Sequence, residues 1–188
     1  MLDREETVSP NLRQISKVFR RTGWISFWAQ LLLAIVSSLI FIFGGFATLA
    51  KNNVTGNNAP NGGGLFLAVL SLAVLLYGIY QSFQYVQIGR KLKSENPEVR
   101  PKKADTIQFL WTSLLIRGVG MALAIFSAEA IAGVLLGKAL TSLGGLLSPM
   151  NQIVQPLDLF LLLGNTHTIT AQFVGIVAAM FLLNRINR

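Results

Sequence analysis

Residues 106–130, TIQFLWTSLLIRGVGMALAIFSAEA, hold a single arginine, Arg117, in an otherwise uncharged apolar run that ends at Glu129. About 20 predominantly apolar residues are needed to cross a hydrocarbon core roughly 30 Å thick as a helix, so this run reads as a membrane span. Three more apolar runs stand around it, at 24–49, 65–88 and, shorter than the others, 166–184. The fold class that follows is all-α: a polytopic membrane protein with four transmembrane helices. An amphipathic helix is expected in the basic N-terminus, residues 1–23, ahead of a membrane domain over 24–188.

Composition supports that reading. Hydrophobic residues make up 52% of the 188 and charged residues 13%, against about 25% charged in a soluble domain. Mean hydropathy is +0.55. A soluble helical protein of this size would show polar faces on shorter helices. With no cysteine, disulfides, thiolate metal sites and thiol catalysis are excluded.

The net charge of +8 is explained by where it lies. Thirteen of the 16 Lys and Arg fall before the first run, between the second and third, or after the fourth; only Lys51 and Lys138 fall in the other two connections. That asymmetry is the positive-inside pattern and predicts both termini on the cytoplasmic side. Topology and anionic lipid account for the basicity, and no nucleic-acid partner is expected. Arg90, Lys91, Lys93, Arg100, Lys102 and Lys103 form a cytoplasmic basic patch, read either as a solvated loop or as a dock for anionic lipid or an acidic partner.

Ser9-Pro10 reads as a cap and first turn, after which Leu12, Ile15 and Phe19 oppose Arg13, Lys17, Arg20 and Arg21 at helical spacing. The pattern suits a helix lying in the headgroup layer or a basic flank that sets topology. Trp24 and Trp28 mark the membrane edge. KNNVTGNNAPNGGG, residues 51–64, reads as an exterior connector. Between 131 and 164, Gly133, Gly137, Gly144, Gly145, Pro149 and Pro156 break an apolar stretch, which predicts short re-entrant or interfacial helices there.

A charge inside a span is the strongest functional pointer in such a sequence. Counted from Thr106, Arg117 falls near the midplane, at the depth of Tyr77 in the second span and Gln172 in the fourth. An intramembrane polar cluster of Arg117, Tyr77 and Gln172, with Ser37 or Ser38 nearby, is one expectation. The other is that the span begins near Gly118 and Arg117 caps its edge. Tyr77, Gln81 and Gln84 share a stripe at i, i+4, i+7 that should face a helix of the bundle or of a partner. Glu129, Asp158, Asn165, Thr166 and His167 complete the candidates for a partner contact or pathway. The lone histidine, His167, leaves iron or pigment binding as a minor option, and no cofactor is expected. No Ser/His/Asp set, HExxH or nucleotide-binding glycine pattern can be assembled, which speaks against an enzyme.

The string DLFLLLGNTHTITAQFVGIVAAMFLL, from Asp158 to Leu183, resembles the end of the chloroplast inner-envelope family called Tic twenty-one, or permease in chloroplasts, and its cyanobacterial relatives. The basic lead-in, four spans and the Tyr/Gln stretch before Gly89-Arg90-Lys91-Leu92-Lys93 fit the same outline. The family's Asn-Thr-Asn-Thr element stands here as Asn165-Thr166-His167-Thr168, and its His-Phe as Gln172-Phe173. With no long Ser-rich leader, the cyanobacterial form is expected, in a thylakoid or plasma membrane. The resemblance implies one of two roles, a component of protein import or an iron permease. A permease needs several ligands near the midplane and often an inverted repeat, and neither is visible. The preferred expectation is therefore a non-enzymatic protein acting by contacts with other integral membrane proteins or by self-association, in translocation or assembly of photosynthetic membrane complexes; the alternative is an oligomeric iron or metal-ion permease.

Overall fold

The computed structural model describes residues 10–55, 62–94, 96–143, 154 and 156–187. They form four long helices, α1 (Pro10–Thr55), α2 (Gly62–Lys91), α3 (Lys103–Leu143) and α4 (Pro156–Asn187), with a 3-10 turn at Pro97–Val99. Each is long and apolar enough to cross a membrane. In lipid the backbone must satisfy its own hydrogen bonds, which is why each apolar run is helical throughout.

α1 packs on α2 and α4, α3 packs on the same two, and α2 meets α4 across the bundle. Hydrogen bonds fix the directions. Ser16 Oγ donates to the Gly89 carbonyl at 2.5 Å, tying the start of α1 to the end of α2. Ser127 Oγ donates to the Gly64 carbonyl at 2.7 Å, and Ser37 Oγ to the Gly164 carbonyl at 2.8 Å. The helices therefore run up, down, up and down. One end gathers the start of α1 and α3 with the end of α2 and α4, around a cluster that includes Phe19, Tyr85, Leu110 and Leu182. Arg13, Lys17, Arg20, Arg21, Arg90, Lys91, Lys93, Lys102 and Lys103 are exposed there, so it is the basic end.

Burial along α3 falls on Thr106, Leu110, Ser113, Arg117, Gly120, Ala124, Ser127 and Ile131, in alternating steps of four and three. α1 follows it closely through Ser16, Phe19, Gly23, Ser26, Gln30, Ala34 and Ser37, with two successive steps of four on either side of Gln30. This is the seven-residue period of helices crossing at a shallow angle, but the buried seam is built largely of Ser, Gly and Ala. Large side chains such as Leu32, Leu39, Phe43, Leu115 and Phe126 face outward. The protein is thus inverted relative to a soluble bundle, as expected where lipid solvates the outside and small residues let backbones approach. Exposed large apolar residues run from Trp24 to Phe46 on α1 and from Leu159 to Phe181 on α4. At 1.5 Å per residue each belt is about 33 Å tall, close to the hydrocarbon thickness.

Several boundaries differ from the sequence reading: of the expected exterior connector 51–64, residues 51–55 extend α1 and 62–64 begin α2. The amphipathic pattern before Trp24 is real, yet it forms one continuous helix with the first span. Its apolar face meets protein, because Ser16 and Phe19 close against Gly89, where an added Cβ would lie 3.0 Å from both the Phe19 Cβ and the Ser16 carbonyl oxygen. On the far side, 131–143 extends α3 and 156–164 begins α4 rather than forming separate short helices. Gly133 and Gly137 do not break α3: they sit on its exposed side and the helix runs through them. Residues 144–153 and 155 of the expected interfacial segment, and 56–61 of the first exterior connection, lie outside the described residues.

Candidate functional site

Arg117 is wholly buried at the centre of the bundle. Its Nε donates to Ser113 Oγ at 3.3 Å, one turn back on α3. Nη1 donates to Gln30 Oε1 of α1 at 2.5 Å. Nη2 donates to the Gly78 carbonyl of α2 and, at 2.8 Å, to Ser82 Oγ. One side chain thereby joins three helices, crossing the α1 to α3 diagonal.

The acceptors are held in turn. Gln30 Nε2 donates to the Ser26 carbonyl at 3.0 Å and to Ser82 Oγ at 3.0 Å, and it also bonds Ser26 Oγ at 2.5 Å. Ser113 Oγ donates to Gln81 Oε1 at 2.9 Å and lies 2.5 Å from the Tyr85 hydroxyl. α4 contributes space: a Cβ on Gly175 would collide with the Arg117 guanidinium. Insertion scales cost a central arginine about 2.5–3.5 kcal/mol. Hydrogen bonds to a charged group contribute about 1.5–3 kcal/mol each, so four of them offset that cost. Among the described residues the charge has no carboxylate paired to it; the salt bridge there is Lys138 to Asp158, at 2.8 Å, far along α3 and α4.

Arg117 also sits closer to the basic end than the midplane. Trp111, exposed on α3, lies about 9 Å from it along the axis. Side chains in a helix slope toward its N-terminus, and the bond to Ser113 turns the guanidinium that way. Arg117 lies well inside α3 and faces the core of the bundle.

The expected triad is not assembled. Tyr77 is 51% exposed and points out of the bundle, its ring 6.3 Å from that of Tyr80. Gln172 is buried with Arg117, but neither of its amide atoms has a hydrogen-bond partner among the described residues. Ser37 bonds the Gly164 carbonyl instead. The reason is rotational: Gly78 and Ser82, not Tyr77, occupy the inward face of α2, and Gln30 of α1 reaches Arg117 first. Of the expected Tyr/Gln stripe only Gln81 turns fully inward; Gln84 is half-buried.

The remaining candidates separate. Asp158 holds Lys138. Asn165 is buried and its Nδ2 donates to Ser127 Oγ at 2.8 Å, leaving Oδ1 without a partner. Thr166 is exposed and bonds the Leu162 carbonyl at 3.0 Å. His167 is half-buried and Glu129 exposed. Among the described residues no three of His, Cys, Asp or Glu come together as metal ligands would. In the basic patch Arg100 is tied down, its Nε donating to the Ser94 carbonyl at 2.8 Å, while Arg90, Lys91, Lys93, Lys102 and Lys103 stay exposed. Sequence reasoning missed Ser26, Gln30, Ser82 and Ser113. The available signal was the seven-residue recurrence of small and polar residues, with Ser113 and Arg117 at i, i+4.

Fold and site together define a class: an integral membrane four-helix bundle pinned by a buried, hydrogen-bonded arginine. The chain belongs to the family described as "Protein of unknown function (DUF3611)", whose family model matches residues 9–187. It is similar to "Protein TIC 21, chloroplastic" of Arabidopsis thaliana, 28% identical over 186 residues, which is 95% of this chain and 60% of that protein. This chain thus spans 60% of that relative's length. No solved structure matches it.

Proposed function

We propose that this chain is a non-enzymatic membrane protein that acts through helix-to-helix contacts in the translocation or assembly of membrane protein complexes. The observation that carries this reading is Arg117, locked by four hydrogen bonds on the bundle axis with no carboxylate paired to it among the described residues. Such a charge is a structural pin and an electrostatic barrier to a cation on that axis. The outer face of α3 supports the same reading, since Gly118, Ala122 and Gly133 are exposed and open backbone to an approaching helix. The family likeness is compatible with this reading and equally with the permease, so it adds no weight to either. Its setting in this proposal is a cyanobacterial thylakoid or plasma membrane, with the basic end cytoplasmic.

The test is to purify the tagged protein from native membranes in mild detergent and to identify what co-migrates on a native gel at comparable stoichiometry. A defined larger complex is expected and would name the client. If no other protein co-migrates and purified protein in liposomes carries iron across the bilayer, the reading fails and the permease takes its place.

A further inference from the structure

The outward side of α2 carries a polar stripe that the Arg117 site does not use: Tyr77, Tyr80, Gln84 and Gln87. Tyr77 and Tyr80 are 51% and 55% exposed. Neither hydroxyl has a hydrogen-bond partner among the described residues.

Depth makes this consequential. Gly23, beside Trp24, packs on Ser82 and Val86, so the tryptophan edge crosses α2 near Gln84. Tyr80 and Tyr77 then lie about 6 and 10 Å farther into the apolar belt. Side chains slope toward the N-terminus of their helix, which for α2 is the opposite end of the bundle. Both tyrosines therefore lean deeper into the belt, away from the near headgroups, and cannot reach them in the manner of an interfacial tyrosine. A hydroxyl left unbonded in hydrocarbon is unfavourable, so the stripe is incomplete in lipid alone.

We infer that a second copy of this chain completes it, two bundles meeting through α2 about a twofold axis along the membrane normal. Copies inserted in the same sense place identical residues at identical depth, and a hydroxyl is both donor and acceptor. The stripe is thus complementary to itself, with Tyr77 and Tyr80 of each copy bonding those of the other and Gln84 amides meeting nearer the edge. Ala73, exposed one turn before Tyr77, leaves room for the two helices to approach. The outer face of α3 stays free for other proteins, so this inference stands apart from the proposed role.

The chain has no cysteine, which makes the test direct. Ala73→Cys and, as a control on the outer face of α3, Ala122→Cys are each oxidised in native membranes. A disulfide between two copies of one residue requires that residue to face itself, with Cβ atoms about 3.5–4.5 Å apart. A homodimer is expected for Ala73→Cys and not for Ala122→Cys. Adding Tyr77→Phe and Tyr80→Phe, which keep the rings and remove the hydroxyls, should lower dimer yield roughly threefold to tenfold. Cross-linking at Ala122 but not Ala73, yield unchanged by the Phe pair, or an Ala73 adduct to a different protein would each overturn the inference. Clients recovered without a dimer would leave the proposed role standing and remove this one.

Discussion

Gln30 and Gln172 are both wholly buried, and they differ in everything else. The amide of Gln30 bonds Ser26 and Ser82 and accepts from Arg117. Neither atom of the Gln172 amide has a partner; it lies in the space left by Gly120 of α3. The contrast extends to their helices. α1, α2 and α3 are joined through Arg117 toward the basic end. Among the described residues, α4 makes its interhelical hydrogen bonds at Asp158, Gly164 and Asn165, in the opposite half, and is held elsewhere by packing of residues such as Ala171, Ala179 and Leu182. Burial alone does not make a polar side chain stabilising in a membrane bundle; completed bonding does.

The largest break of this contrast comes from Arg117→Leu. It strands Gln30 Oε1 and removes the bonds that tie α3 to α1 and α2, and should lower stability by about 3 kcal/mol in thermal unfolding of the detergent-solubilised protein. Arg117→Lys should recover only part, since an ammonium lacks the fork that bridges α1 and α2. An Arg117→Leu protein that melts with the parent would remove the pin altogether.

Next in size is Gly175→Ala, whose Cβ needs the volume of the guanidinium. A loss of about 1–3 kcal/mol is expected, as for overpacking, whereas Gly118→Ala, facing open space, should be neutral or slightly stabilising. Equal melting of the two variants would contradict the close packing of α4 on Arg117.

The glutamines themselves give the sharpest test. Gln30→Leu should cost about 1–3 kcal/mol, while Gln172→Leu, which removes an unpartnered amide at similar volume, should be neutral or stabilising by up to about 1 kcal/mol. Unfolding curves that shift alike for both would erase the distinction. Smallest is Asp158→Asn at the Lys138 bridge, partly open to solvent. It should cost about 0.5–1 kcal/mol, and less as salt is raised.

The four spans were legible because lipid imposes a length on every apolar run, and Arg117 was legible because a lone charge in such a run stands out. Its partners were not. Depth counted from Thr106 set Arg117 level with Tyr77, but a one-residue change along α2 turns the chain by about 100°, from the outward Tyr77 to the inward Gly78. Gln30 lies only about two turns past Trp24, and the arginine leans toward that edge to meet it. The helix ends were misjudged for a related reason. Gly133 and Gly137 read as breaks, yet glycine on an exposed helix face costs only about 1 kcal/mol and can be carried through.

The order of the helices along the chain gives the Arg117 knot a place in biogenesis. Gln30, Gly78 and Ser82 belong to the first hairpin, and Arg117 to the segment synthesised after it. In chain order, the acceptors of the first two helices thus precede the charge they receive. α4 follows last, and Gly175 closes over a guanidinium already in position.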